Sequence, residues 1–488
     1  MVHKGWKAGV AILFVLAIAA CSAKTNGANT SAPQAPPQRG GGQPGIGQEV
    51  NTTSQPDSTF GIDIDTASYF YARRTILDGG RRPDPSTIRP EEFVNAFRQD
   101  YPQPTGDGFT VSVDGARLPG THRVSNEEGD VRLLRIGLQT RADSATNRPD
   151  AALTFVIDTS GSMAEPGRLD LVKDALDYLI DQLRPTDKVA IVAFNDSAHV
   201  LREMTAVRSK SDLHAAVTRL QAGGSTNLEA GLVSGYQVAR DGFVTGASNR
   251  VIILSDGLAN VGDTKAAPIL AQIKEEASKQ IALLGVGVGS DYGDALMEQL
   301  ADAGDGFVTY VSETEQARQL FVTRLPATLT VRALDAKVQV TFSPSVVSRY
   351  RLVGYEDRAL PPTAFDNPRA DGGEVGPGHS VTALYVVQLQ PEAHGRVAEA
   401  RIRWVNPTDQ EQRETSATIE TADLGGSFAG ASPRLRVDYA AAFFGEVLRH
   451  SQYGNEVRPN DLAAIAESAF VDTEDAQVHE LAALIRMA

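Results

Sequence analysis

Between residues 151 and 325, short apolar runs alternate with stretches of helical periodicity, and this alternation leaves few folds open. Apolar runs rich in β-branched residues and bounded by turn formers are expected to be buried strands. They fall at Leu153–Ile157, Lys188–Phe194, Arg250–Ser255, Ile281–Val288 and Gly306–Tyr310, with a short edge strand near His199–Glu203. Between them the spacing predicts helices over Gly167–Leu183, Ser211–Leu220, Asn227–Arg240, Ala266–Ser278, Asp294–Ala303 and Glu313–Leu325. In the first of these, Leu171, Val172, Ala175, Leu176, Leu179 and Leu183 make an apolar stripe, and Pro185 closes it. Strand–helix alternation of this kind predicts an α/β unit: a doubly wound, mostly parallel, Rossmann-like sheet covered on both faces.

In such a sheet, ligands bind beyond the carboxyl ends of the strands, where loops meet. Three loops bring oxygen ligands to that edge. The run Leu153–Ile157 stops at Asp158, and Ser160 and Ser162 follow at every second position. If the loop is extended, these three side chains point the same way. A second loop, Gly223-Gly224-Ser225-Thr226-Asn227, offers the Thr226 hydroxyl, with glycines permitting close backbone approach. The third, Leu254-Ser255-Asp256-Gly257, sets Asp256 directly after a strand, as Asp158 is set. Carboxylates and hydroxyls without thiolate or imidazole suit a hard divalent cation such as Mg²⁺ or Mn²⁺. The same five residues could instead cap helices and brace loops without metal.

Composition narrows the function classes. The formal net charge of -15 argues against a nucleic-acid groove, which needs clustered Lys and Arg. Gly285-Val286-Gly287-Val288-Gly289 lacks the spacing of a dinucleotide loop and lies within or just after a strand, so no nucleotide is expected. Ser160 lacks a nucleophile-elbow pattern, and no His is placed to activate it. No catalytic role is therefore expected. Asp63-Ile64-Asp65-Thr66 resembles the DxDxT loop of haloacid-dehalogenase-type phosphatases, but no strong strand precedes it. A turn at a helix start accounts for it better, which leaves a metal-assisted phosphatase or hydrolase as the enzyme alternative.

The N-terminus predicts an address. Lys4 and Lys7 precede an apolar stretch, Ala8 to Ala20, too short to span a bilayer comfortably. The run Ile18-Ala19-Ala20-Cys21 resembles a bacterial lipobox, which implies a signal peptide over 1–20 and lipidation at Cys21, the only cysteine. Ser22 after it favours, by resemblance to enteric-type lipoproteins, the outer membrane, facing periplasm or surface. Residues 21–58, mostly Gly, Pro, Gln, Ser, Thr and Asn from Ser22 onwards, read as a tether too polar to bury a core. An N-terminal α+β extension is expected over 59–148, with strands in 109–140. Residues 326–488 are expected to form a β-rich, sandwich-like domain, sharing its sheets with those strands, followed by C-terminal helices.

The motifs DTSGSM, GGSTN and LSDG resemble the metal-ion-dependent adhesion site of the von Willebrand factor type A domains. By that resemblance Ser160, Ser162 and Thr226 hold the metal directly, while Asp158 and Asp256 act mostly through water. A carboxylate from a protein partner then completes the coordination. The stretches SDGLANVGD, ADGGEVGPGHSVTALY and IDIDTASYFYARR extend the likeness to a bacterial lipoprotein subfamily with an N-terminal extension and a C-terminal domain of unknown function. The implied protein is a lipid-anchored, non-catalytic component of the bacterial envelope that binds a protein ligand. A scaffold with a merely stabilising metal is the alternative.

Overall fold

Two antiparallel sheets pack face to face around strands drawn from both ends of the chain. The computed structural model describes residues 47–77, 79–123, 130–142, 148–256, 266–277, 279–288, 300, 304, 307–311, 317–318, 320, 331–368, 370, 372–407 and 409–488. One sheet runs β1 (Val50–Asn51), β12 (Val347–Val353), β14 (Ser380–Leu389), β4 (Asp130–Thr140) and β3 (Phe109–Arg117). The other runs β13 (Ala359–Leu360), β2 (Asp57–Gly61), β11 (Leu334–Phe342), β15 (Arg396–Val405) and β16 (Gln412–Glu420). Their inner faces alternate as a sandwich requires. Phe60, Ile136, Val340, Phe342, Tyr385, Ile402 and Trp404 meet in one buried cluster.

The sharing of sheets expected from the sequence is present: β4 pairs along its length with β14, from Asp130 opposite Leu389 to Gln139 opposite Ser380. The tether boundary at residue 58 is corrected. Val50 and Asn51 pair with Tyr350 and Arg349, and Asp57 to Gly61 pair with β11. Thr52 is fully buried, and its hydroxyl donates to the Val347 carbonyl at 2.5 Å. Polar composition here reflects an edge strand and a turn, held by backbone bonds with Val50 packed against the sandwich core.

Helices cover the outer face of the first sheet. α1 (Ala67–Leu77) and α2 (Pro90–Asn95) pack there with three C-terminal helices, α7 (Pro433–Leu448), α8 (Pro459–Thr473) and α9 (Ala476–Met487). Tyr69 contacts Phe93 and Phe97 edge to face, and Phe93 meets Phe444 of α7.

The α/β unit follows the sequence closely. Its sheet has the order β10 (Phe307–Val311), β9 (Ile281–Val288), β8 (Ser248–Ser255), β5 (Ala151–Asp158), β6 (Lys188–Phe194) and β7 (Ala198–Ala206). All pairings are parallel except that of β7, the expected edge strand, with β6. α3 (Leu169–Gln182) and α4 (Lys210–Thr218) cover one face, with Leu153, Phe155 and Ile157 of β5. α5 (Leu228–Asp241) and α6 (Ala266–Ala277) cover the other, where Val156, Val192 and Phe194 point. Gly285 and Gly287 lie inside β9. The helices expected over 294–303 and 313–325 fall mostly outside the described residues, as do the apolar N-terminal stretch and Cys21. Among the described residues no helix is long and apolar enough to cross a membrane.

Candidate metal centre

Asp158 is the last residue of the central strand and has no solvent exposure. On a strand, alternate residues share a face, so Asp158 points with Val156 to the α5 side. One carboxylate oxygen accepts the Ser160 backbone N–H at 2.8 Å, closing a tight turn. The other accepts the Ser255 hydroxyl at 2.6 Å, which joins the ends of β5 and β8. Burial pushes this carboxyl above its ordinary pKa, against the hydrogen bonds from Ser255 and Ser160, and the nearby Asp256 adds to the rise.

The loop does not run extended through Ser162 as the alternation predicts. Ser160 is extended, at φ -61° and ψ 169°, but Gly161–Ala164 then winds into a 3₁₀ turn. The turn still brings the hydroxyls together: Ser160 Oγ and Ser162 Oγ lie 3.1 Å apart. Ser162 Oγ donates to Asp256 Oδ1 at 2.8 Å. A continuous chain of polar contacts thus runs from Asp158 through Ser160 and Ser162 to Asp256.

The second loop is clasped to the first through its backbone. Gly161 N–H donates to the Gly224 carbonyl at 2.9 Å, and Gly223 N–H to the Thr159 carbonyl at 2.8 Å. Gly224 sits at φ +83°, a left-handed conformation that glycine adopts without penalty. Asn195, after β6, donates from its side chain to the Gly223 carbonyl at 3.0 Å and accepts the Asn227 N–H on its backbone at 2.8 Å. Asn227 in turn caps α5 by accepting the Ala230 N–H at 3.0 Å. Thr226, buried and one residue before that cap, is held at the mouth of the site by these contacts.

All five residues anticipated from the sequence therefore lie at one edge of the sheet. Three contributors were not anticipated. Ser255 orients Asp158, Asn195 braces the glycine loop, and Arg168 reaches Asp256 Oδ2 and the Ser162 carbonyl. Arg168 stands just before α3 in the run Gly-Arg-Leu-Asp, where nothing separates it from an ordinary surface arginine.

Three stretches of the chain match known families. Residues 152–323 match the von Willebrand factor type A domain. Residues 47–124 match a second family described as von Willebrand factor, and residues 327–399 the C-terminal domain of the uncharacterized protein YfbK. YfbK of Escherichia coli (strain K12) is 30% identical over 461 residues, spanning 89% of this chain and 78% of that protein. The chain belongs to the YfbK family of type A domain proteins.

The inter-alpha-trypsin inhibitor heavy chain H4 of Homo sapiens is 29% identical over 178 residues, which is 34% of this chain but only 19% of that protein. A solved von Willebrand factor type A structure from Catenulispora acidiphila shares 17% identity, covering 77% of this chain and 90% of its own, with a TM-score of 0.47. Type A domains often mediate protein–protein interactions and commonly bind a divalent metal through a metal-ion-dependent adhesion site. The YfbK-family site fits such an ion by its donor chemistry. Among the described residues no group of three or more His, Cys, Asp or Glu side chains could hold a metal. A cation here would rely on the hydroxyls of Ser160, Ser162 and Thr226 with two carboxylates behind them, an all-oxygen set suited to Mg²⁺ or Mn²⁺.

Proposed function

We propose that this protein captures a protein partner in the bacterial envelope through a divalent cation, with no catalytic step. The observation that carries the reading is the unbroken polar chain Asp158–Ser160–Ser162–Asp256, clasped by backbone hydrogen bonds to the loop bearing Thr226. Ser160, Ser162 and Thr226 would hold Mg²⁺ or Mn²⁺ directly, and Asp158 and Asp256 would hold its waters. The bound ion supplies an electrophilic coordination position for an Asp or Glu carboxylate of the partner. Asp158 fixes the Ser160 backbone, Ser255 fixes Asp158, and the Gly223-Gly224 loop sets the height of Thr226 against them.

Location belongs to the same proposal: cleavage before Cys21 and lipidation there would anchor the chain, in the outer membrane by the residue that follows. The test is a crosslinked pull-down from native envelopes in Mg²⁺ or EDTA, with wild type, Asp158→Ala and Thr226→Ala. A protein captured only by wild type with Mg²⁺ is the expected result. Equal capture in every lane, with all proteins folded, would leave the five residues as loop bracing. Cys21→Ser should release the protein from membranes, and unchanged fractionation would remove the anchor from the reading.

A further inference from the structure

Arg168 is the cation already inside this site. It is 5% exposed, although it lies in a surface loop between the Ser162 turn and α3. Its Nη1 donates to Asp256 Oδ2 at 2.5 Å and to the Ser162 carbonyl at 3.1 Å. Its Nη2 pairs with Glu165 Oε2 at 2.6 Å. These partners differ sharply in burial: the Asp256 side chain is 1% exposed, whereas that of Glu165 is 63% exposed and largely screened by water. The backbone pins the arginine in place, since its carbonyl accepts the Val172 N–H at 3.0 Å and opens α3.

The two oxygens of Asp256 are thus divided between different tasks. Oδ1 takes the Ser162 hydroxyl, one of the proposed metal donors, and Oδ2 takes the guanidinium. Among the buried groups, Asp158 and Asp256 bring two negative charges and Arg168 cancels one, while Glu165 and Asp196 are solvent-exposed and screened. A divalent cation therefore enters a cluster of net charge -1, and the loaded cluster carries +1. Without Arg168 the same cluster would begin at -2 and end neutral. An excess positive charge weakens retention of the metal and strengthens attraction of an external anion.

We infer that Arg168 is a specificity-determining residue that makes metal retention depend on an acidic partner. Resting on the proposed metal-bridged function, this assigns the site a regulation: it holds its ion loosely when empty of partner and firmly when a partner carboxylate neutralises the excess charge. Linkage makes the dependence reciprocal, because whatever factor the carboxylate adds to metal affinity the metal adds to carboxylate affinity. A purely structural arginine would act in the opposite direction. Removing it would loosen the turn that carries Ser162 and weaken metal binding.

The experiment titrates the full chain, without partner, with Mn²⁺ alone and reads free Mn²⁺ by electron paramagnetic resonance. Wild type, Arg168→Gln, Arg168→Lys and Asp158→Ala are compared. Arg168→Gln is expected to bind Mn²⁺ at least about tenfold more tightly than wild type, as loss of one unit charge from a compact ion cluster implies. It should also melt below wild type in EDTA, where Asp256 has lost its guanidinium and keeps only the Ser162 hydroxyl, and show the larger rise in melting temperature on adding Mn²⁺. Arg168→Lys keeps the charge and should stay within about threefold of wild type. Equal or weaker Mn²⁺ binding by Arg168→Gln would overturn the inference while leaving the metal site intact. If Arg168→Gln does not fold, tenfold tightening in Arg168→Lys would overturn it instead, because the charge is retained there. Failure of the underlying metal reading looks different: wild type would not bind, or Asp158→Ala would bind as well as wild type.

Discussion

Glu91 is a buried carboxylate with no cation bonded to it among the described residues, and Glu91→Gln tests how its charge is held. It lies in the first turn of α2, 2% exposed, and its Oε2 has no hydrogen-bond partner among the described residues. The close approach of Gly354, at φ +78°, brings the chain just after β12 against it: a Cβ there would sit 2.2 Å from Glu91 Oε2. Burial, then the charges of Glu356 and Asp63, push the carboxyl up to about 8, against backbone hydrogen bonds from Glu91 and Tyr355. Arg449 is held by Glu356 at 2.9 Å, and Arg358 lies 3.7 Å from Asp63, so neither cation is paired with Glu91 in these contacts. An unfolded chain releases this proton near 4.5. Between those values the folded state binds the proton and the unfolded state does not, so stability falls as pH rises through the window and is level on either side. A shift of this size corresponds to roughly 5 kcal/mol across the whole window. The amide that replaces the carboxyl has no such proton to hold. The variant should match wild type near pH 4.5 and exceed it progressively towards pH 8 by several kcal/mol. Urea midpoints measured at half-unit pH steps read the difference, and parallel curves for the two proteins would refute the reasoning.

Three further substitutions probe the site and its frame. Gly224→Ala puts a Cβ 2.3 Å from Asp196 Oδ2 at a left-handed φ of +83°; the strain, about 1–2 kcal/mol before the clash, should shift the Thr226 loop and shrink the rise in melting temperature caused by Mg²⁺. A rise as large as in wild type would count against that coupling. Ser255→Ala removes the donor 2.6 Å from Asp158 Oδ2, and thermal melting in EDTA should show a loss of about 1–3 kcal/mol. Arg148→Met takes from the fully buried Asp187 the guanidinium at 2.9 Å and leaves it that of Arg184 at 3.3 Å; denaturant unfolding should record a loss of about 1–3 kcal/mol, and no measurable loss would mean that Arg184 and the Ala151 N–H suffice.

What could be seen in the sequence follows from which forces are local. The α/β strands are buried on both faces, so they appear as continuous apolar runs such as Val251–Leu254, each fully buried. The α3 stripe is equally plain, because Leu171, Val172, Ala175, Leu176 and Leu179 all face the core. The site residues were legible because each ends or follows a strand or precedes a helix cap, where the backbone needs oxygen-bearing side chains in any case. The pairing of Asp130–Thr140 with Ser380–Leu389 was expected only in outline, since nothing local sets a register across some 250 residues of chain. Arg168 was invisible for the same reason: its meaning comes from Asp256, which lies 88 residues further along the chain.

The segment Asp63-Ile64-Asp65-Thr66 shows how such distant contacts reach the site's own sheet. Asp63 Oδ1 accepts the Asp65 N–H at 2.8 Å, the turn anticipated before α1. Asp65 Oδ1 then accepts the Val308 N–H at 3.2 Å, at the edge strand β10. The next residues start α1, and Ala67, 1% exposed, joins the apolar cluster of Val156, Val192, Phe194, Ile253 and Val308. That cluster lies on the face of the sheet to which Asp158 points. A segment some 90 residues before β5 thus completes the layer behind the candidate metal site, and supplies an acceptor to a sheet edge that would otherwise present an unpaired N–H. The start of the strand–helix alternation near residue 150 marks a change of sequence pattern, while the packing that holds Asp158 in place begins at Asp63.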